Sequence, residues 1–214
     1  ACAPYRRLSL CNRNLEKIPT STTKHDLLAE VCLAAKYEGE SLKGYHEQYE
    51  VQYPGSGSSM CTMLARSFAD IGDIVRGRDL YRGSGRGKGK AKLQENLKEI
   101  FKQIHEDVMK TSGNNKEVLK TRYKDDEDGD FFQLREYWWN ANRDQVWKAI
   151  TCKADTGNAY FHATCNSSDN RGGAQANNYC RCNDDKPNAD KANVDPPTYF
   201  DYVPQYLRWF EEWA

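Results

Sequence analysis

The residues best equipped for chemistry in this chain of 214 residues are its eight cysteines. Cys2, Cys11, Cys32 and Cys61 lie early, Cys152, Cys165, Cys180 and Cys182 lie late, and none falls between the two groups. Such thiols either ligate a metal or pair as disulfides. A structural zinc site takes four thiolate or imidazole donors, often from paired C-x2-C knuckles. Cys152, His162, Cys165, Cys180 and Cys182 offer enough donors but no such knuckle, and Cys180-Arg-Cys182 sets two thiols unusually close. An even count in two clusters reads instead as a disulfide framework, and so as an oxidising compartment. All eight are disulfide candidates, and no metal is expected.

Other segments tempt a catalytic or nucleotide-binding reading. Gly83-Ser-Gly-Arg-Gly-Lys-Gly-Lys90 looks like a phosphate loop, but its opening glycine would fall on Arg82 or Ser84, and Ala91 replaces the hydroxyl residue needed for Mg2+. Asp126-Glu-Asp128-Gly129 suggests a calcium loop, yet Lys124 and Arg135 occupy the positions that require carboxylates. A solvated acidic turn is expected there. His25, His46, His105 and His162 are scattered among charged residues, with no Gly-x-Ser-x-Gly or His-Glu-x-x-His. Nucleophilic catalysis needs a base beside the nucleophile and a third group to orient it. None is legible, so neither an enzyme nor a cofactor is expected. Asn166-Ser-Ser168 is a glycosylation sequon and fits a surface loop.

One run remains. Arg82, Arg86, Lys88, Lys90 and Lys92 follow one another without an acid, on glycines. As structure it is a solvated loop. As function it is a docking point for a sulfated polysaccharide or another anionic cell-surface ligand, because adjacent cations release counterions from a polyanion and bind it salt-dependently. Lys plus Arg equals Asp plus Glu at 31 each, so no global field draws the chain to nucleic acid or a membrane. Any electrostatic partner must be met by a local patch such as this one.

The elements that position these residues read as helices. Thr23-Lys-His-Asp26 resembles a capping box, with Leu27, Val31 and Ala35 on one face behind it and Gly39 as a stop. Ser41 to Glu50 is expected as a second short helix, and the breaker cluster from Tyr53 as a boundary. Ser58 or Ser59 can cap a helix carrying Met60, Met63, Leu64, Phe68, Ile71 and Val75, closed by Gly77. Arg82 to Lys90 is expected as a loop. Leu93, Leu97, Ile100, Phe101, Ile104 and Val108 form the strongest helical period, stopped by Ser112-Gly113. Phe131, Leu134, Trp138, Ala141 and Gln145 define another stripe, widened by Trp139, Val146 and Ile150, and the aromatics Tyr137, Trp138, Trp139 and Trp147 are assigned to the core. From Lys153 to Pro197 periodicity disappears, and disulfides could tie so long a loop down. Pro204 suits the first turn of a last helix with Leu207, Phe210 and Trp213 inward. Nothing alternates with period two for long, so the fold class is all-α.

With 29% charged and 38% hydrophobic residues the core is thin, and crosslinks would help by restricting the unfolded chain. No apolar run approaches the ~20 residues that span a bilayer. The opening Ala-Cys-Ala-Pro and an end inside an amphipathic pattern predict a piece of a longer extracellular protein whose signal and anchor lie elsewhere.

Four ordered motifs then carry a resemblance. Cys2-Ala-Pro-Tyr-Arg-Arg-Leu-Ser-Leu-Cys11, Ala65-Arg-Ser-Phe-Ala-Asp-Ile-Gly-Asp-Ile74, Leu134-Arg-Glu-Tyr-Trp-Trp-Asn-Ala-Asn-Arg143 with Val146-Trp-Lys-Ala-Ile-Thr-Cys152, and Tyr202-Val-Pro-Gln-Tyr-Leu-Arg-Trp-Phe-Glu-Glu-Trp213 resemble Duffy-binding-like domains. The chain is most similar to the alpha class of the Plasmodium falciparum erythrocyte membrane protein 1 adhesins. The resemblance implies a loop-rich first subdomain over 1–57, a disulfide-stapled helix-bundle second subdomain over 58–200 with a long Cys-containing loop, and the start of a largely absent third over 201–214. It implies a non-enzymatic adhesion module on the extracellular face of the infected red-cell membrane, part of a larger membrane-anchored protein and undergoing antigenic variation. Implied partners are heparan sulfate, blood-group sugars, complement receptor one and host antibodies, with rosetting as the associated behaviour. The alternative is a variable scaffold beside an interdomain region that makes the main receptor contact. By the same analogy Cys2 and Cys11 pair with upstream partners, and Cys61 reaches across the bundle to the late cluster at Cys182. No motif carries over a binding residue, so the five cations rest on the charge argument alone.

Overall fold

The computed structural model describes residues 2–53, 59–81, 88–111, 121–123, 129–165 and 173–213, with backbone alone for 88–90 and 111. Helices α1 (Tyr5–Leu8), α2 (Lys24–Gln52), α3 (Met60–Arg76), α4 (Lys88–Thr111), α5 (Phe132–Ile150) and α6 (Gln205–Trp213) follow in order, with 3-10 turns at Leu15–Lys17 and Phe200–Tyr202. Among the described residues there is no strand, only isolated bridges at Cys165–Ala174 and Asn178–Arg181.

The capping box forms as expected. The Thr23 hydroxyl accepts from the Asp26 N–H at 3.2 Å, and the Asp26 carboxylate accepts from the Thr23 N–H at 3.3 Å. The expected stop at Gly39 does not occur, and α2 runs unbroken for 29 residues through Ser41 to Glu50. Gly39 serves packing instead. A Cβ there would lie 2.0 Å from the Ile150 carbonyl oxygen, so glycine lets the end of α5 press against α2.

Helix α3 ends as predicted at Gly77, whose φ of 75° places it in the left-handed region. Ser59 precedes the helix without capping it through its side chain; its hydroxyl donates to the Ala159 carbonyl at 3.2 Å. The predicted apolar faces of α3 and α4 are buried, with Met63 and Val108 at the margin. Helix α4 begins at Lys88, so the end of the expected loop is its first turn, while 82–87 lie outside the described residues. The acidic segment 124–128, Ser112-Gly113 and the sequon at Asn166 also lie outside them.

Two stripes differ from expectation. In α5 the buried residues are Leu134, Arg135, Trp138, Trp139, Arg143, Val146, Trp147 and Ile150, whereas Ala141 and Gln145 are exposed and Tyr137 is 55% exposed. In α6 the polar side faces inward: Gln205, Arg208 and Trp209 are buried, while Leu207, Phe210 and Trp213 are 45%, 75% and 55% exposed. Buried carboxylates draw Arg208 of α6 and Arg143 of α5 inward, while Arg135 of α5 is held by the Ile74 and Val75 carbonyls and Gln94.

One core joins these elements. Its largest helix contact is α2 on α5, followed by α3 on α5. Phe68 sits between Trp139 and Trp147, with ring centroids 5.1 and 5.2 Å away. The long segment after Lys153 is closed by two disulfides and by Arg181, which donates to the Thr151 hydroxyl at 2.8 Å and the Lys148 carbonyl at 2.7 Å and pairs with Asp185 and Asp190.

Candidate functional site

The four sequence motifs meet in one buried ion network centred on α3. Asp70, Asp73 and Arg76 stand three residues apart along that helix, so all lie on one face. Asp70 Oδ1 accepts from Arg208 at 2.8 Å, Gln205 at 3.1 Å and the Trp209 indole at 3.2 Å, and its Oδ2 lies 2.7 Å from Arg6. Arg6 also holds Glu212 through two bonds of 3.0 and 2.9 Å and donates to Ser67, whose hydroxyl donates to the buried Glu38 at 2.6 Å. Asp73 pairs with Arg76 and Arg208. Asp201 accepts from the Trp139 indole at 2.9 Å and from Arg143 at 2.8 Å. Opening segment, α3, α5 and α6 are thereby tied together. The sequence signal was present but unread: ionisable residues spaced three apart among apolar ones.

The protonation of this network follows from burial against charge. Burial alone would raise the Asp70 carboxyl, but Arg6 and Arg208 hold it below its ordinary value. For Asp73 burial outweighs Arg208 and Arg76 and pushes it up to about 6. Burial would weaken the Arg6 guanidinium, yet Asp70 and Glu212 raise its affinity for the proton. Every one of these charges is spent within the fold, so the network positions elements rather than presenting a reactive group.

The cysteines separate into two classes. Cys61 pairs with Cys180, and Cys165 with Cys182. Cys61 does reach the late cluster, but its partner is Cys180 and not Cys182, because Cys182 is taken by Cys165 across the loop. Three of the donors considered for zinc are thus consumed. Cys2, Cys11, Cys32 and Cys152 are thiols. Burial, then Glu38, pushes Cys11 up to about 11; burial, then Asp144, pushes Cys32 up to about 11; burial, then Glu40, raises Cys152. Thiols so shifted are protonated at neutral pH and poor nucleophiles.

Of the five candidate cations, Arg82 and Arg86 fall outside the described residues, Lys88 and Lys90 sit in the first turn of α4, and Lys92 is exposed in the turn that follows. The first turn carries no acidic residue. Cations at a helix start oppose the macrodipole, whereas an anion bound there is favoured by both. The structure therefore gathers three of the five at one helix end. A larger cavity of about 560 Å3 lies elsewhere, between α1 and α2, lined by Tyr5, Arg6, Leu42, Tyr45, Tyr49 and Met63. Sequence reading missed it, although Tyr45, Tyr49 and Tyr53 recur at helical spacing.

The sequence model of a family described as "Duffy binding domain" matches residues 1–208. Among solved structures, the NTS-DBL1(alpha-1) domain of Plasmodium falciparum membrane protein 1 from the varO strain is 39% identical with a TM-score of 0.73, covering 100% of this chain and 43% of that one. The NTS-DBL1-alpha and CIDR-gamma double domain of the same strain is 40% identical with a TM-score of 0.73, covering 100% of this chain and 27% of that one. The ICAM-1-binding IT4var13 DBLbeta domain of a PfEMP1 protein is 33% identical with a TM-score of 0.65, covering 97% and 41%. This chain spans less than half the length of each. A comparison with curated proteins found no match.

Proposed function

We propose, for a chain that belongs to the Duffy binding domain family, that it is a non-enzymatic adhesion module displayed on the infected-erythrocyte surface, binding anionic host-cell glycans or receptors. The observation that carries this reading is the run of cations at the start of α4, set against the helix dipole on a chain of zero net charge. The ICAM-1-binding relative supports it, since a similar fold there holds a host protein. Among the described residues no helix is long and apolar enough to cross a membrane, and the reading assigns the anchor to another part of a longer protein.

On this reading heparan sulfate is the first partner to test. Blood-group sugars and complement receptor one are the others, and rosetting and antigenic variation under host antibodies are the behaviours. Subdomain boundaries at 57/58 and 200/201 belong to the same proposal. The test is retention of the folded protein on immobilised heparin at physiological salt. Retention that falls when Arg82, Arg86, Lys88, Lys90 and Lys92 are neutralised together supports the reading, and unchanged retention rejects the cation assignment.

A second reading has its own observation. The motif residues Arg6, Ser67, Asp70, Asp73, Arg143 and Arg208 are spent inside the fold, as expected of a variable scaffold beside a neighbouring region that makes the receptor contact. Binding of this domain by itself to red cells would count against it.

A further inference from the structure

The N-terminal segment, the end of α3 and the start of α4 enclose a second cavity of about 120 Å3, lined by Arg7, Asn12, Asp79, Tyr81 and Gln94 together with Ala91 and Leu93. Its charged groups are already matched. Arg7 pairs with Asp79 and lies 4.9 Å over the Tyr81 ring. Asp79 Oδ1 also accepts from Gln205 at 2.9 Å and from the Tyr81 N–H at 3.3 Å. The Gln94 amide donates to the Ile74 carbonyl at 3.1 Å and accepts from Arg135 at 2.9 Å.

Asn12 is the exception. It is 6% exposed, and its backbone is satisfied by Leu10 and Glu16. Its side-chain amide nitrogen is buried without an acceptor. A buried donor left unpaired is costly, and native structures seldom tolerate one without a water, ion or ligand. What this group lacks is an acceptor.

The surroundings say which kind. The first turns of α4 border the cavity and bring the positive end of the helix, with no acid in the first turn. Lys92 is exposed beside them. Arg13, next to Asn12, and Lys17 are also exposed, on the segment whose 3-10 turn packs on α4. The Asn96 amide fixes that contact by donating to the Ile18 carbonyl at 3.2 Å. Inside the cavity Arg7 and Asp79 cancel, so the excess of positive charge that an entering acceptor meets comes from the rim, at the start of α4, Lys92, Arg13 and Lys17.

We propose that this cavity is an oxyanion socket. It takes one sulfo group of a sulfated glycan, the Asn12 amide donating to an oxygen that bears no proton at neutral pH, and the glycan runs on over Lys92, Arg13 and Lys17. The inference rests on the polyanion reading above and adds Asn12, Arg13 and Lys17 to it.

The experiment uses the whole chain, isotope-labelled, titrated with sodium sulfate against sodium chloride at matched ionic strength and then with a heparin-derived tetrasaccharide. Sulfate should move the Asn12 side-chain amide resonances to saturation where chloride does not. Asn12→Ala, and more strongly Asn12→Asp, should weaken tetrasaccharide binding by about tenfold or more, with helical melting monitored to confirm the fold. Stationary Asn12 resonances under sulfate, as a water-filled cavity would give, overturn the socket. So does an Asn12→Ala protein that binds the tetrasaccharide as tightly as the parent. The two readings fail separately. If neutralising the five cations leaves heparin retention unchanged while sulfate still moves Asn12, the polyanion reading falls and a small-anion site stands.

Discussion

The carboxylate of Asp70 accepts a hydrogen bond from the Arg208 guanidinium at 2.8 Å, across 138 residues of sequence, with both groups buried. This contact docks α6 onto α3 through charge, and it explains why α6 turns its apolar side outward. Replacing a buried pair by well-packed apolar groups is often neutral, but removing one partner strands the other. Asp70→Ala strands Arg208 and part of the demand of Arg6. It should lower unfolding free energy by about 3–5 kcal/mol in denaturant titrations. Glu211→Ala removes only the exposed partner of Arg66 and should cost under about 1 kcal/mol.

Two glycines of α2 should respond with opposite signs. Gly39→Ala sets a Cβ 2.0 Å from the Ile150 carbonyl and should destabilise by about 1–3 kcal/mol or more, as overpacking does. Gly44 has open space around its Cβ position, so Gly44→Ala should stabilise by about 0.5–1 kcal/mol through helix propensity. Thermal melts of both variants decide this.

Asp73 should make stability fall as pH rises. Its folded carboxyl is pushed up to about 6 against an ordinary 3.8. Between those values the folded state holds the proton and the unfolded state does not. Its contribution is therefore fully present below 3.8 and is lost as pH rises through about 6. Asp70, held low, works in the opposite direction and only below its ordinary range. Unfolding free energies measured across pH 4 to 6 should show this Asp73 component, and Asp73→Asn should remove it.

The two disulfides should differ in worth. Cys61–Cys180 spans 119 residues and Cys165–Cys182 spans 17. Loop-closure entropy assigns the longer link about 4–5 kcal/mol and the shorter about 3. Paired alanine substitutions, compared under non-reducing conditions, should follow that order. Peptide mapping should recover these two links, and a Cys61–Cys182 peptide would contradict the connectivity.

Much of the fold was legible because its signals are local. The Thr23–Asp26 box, the left-handed stop at Gly77 and the period from Leu93 to Ile104 depend on residues within one or two turns, and each formed as read. Gly39 misled because a stop and a close helix contact call for the same residue, and the Ile150 carbonyl that distinguishes them lies far along the chain. Leu207, Phe210 and Trp213 misled because hydropathy assigns apolar faces inward, while Asp70 and Asp73 on another helix had already claimed the arginine face. The partner of Cys61 was missed by two positions for the same reason: the pairing of Cys182 with Cys165, which leaves Cys180 for Cys61, is a long-range contact. For the proposed binding site, the cations were legible as a run, but the unpaired Asn12 amide near the start of α4 is visible only once α4 is packed on the N-terminal segment.

The most direct test of the account is the salt dependence of heparin-oligosaccharide affinity, measured for the parent chain and for the variant neutralised at Arg82, Arg86, Lys88, Lys90 and Lys92. Each cation that displaces a counterion steepens the fall of log affinity with log salt. The account predicts a steep negative slope for the parent chain and a weaker, flatter response for the variant. Equal slopes and equal affinities for the two proteins would contradict it.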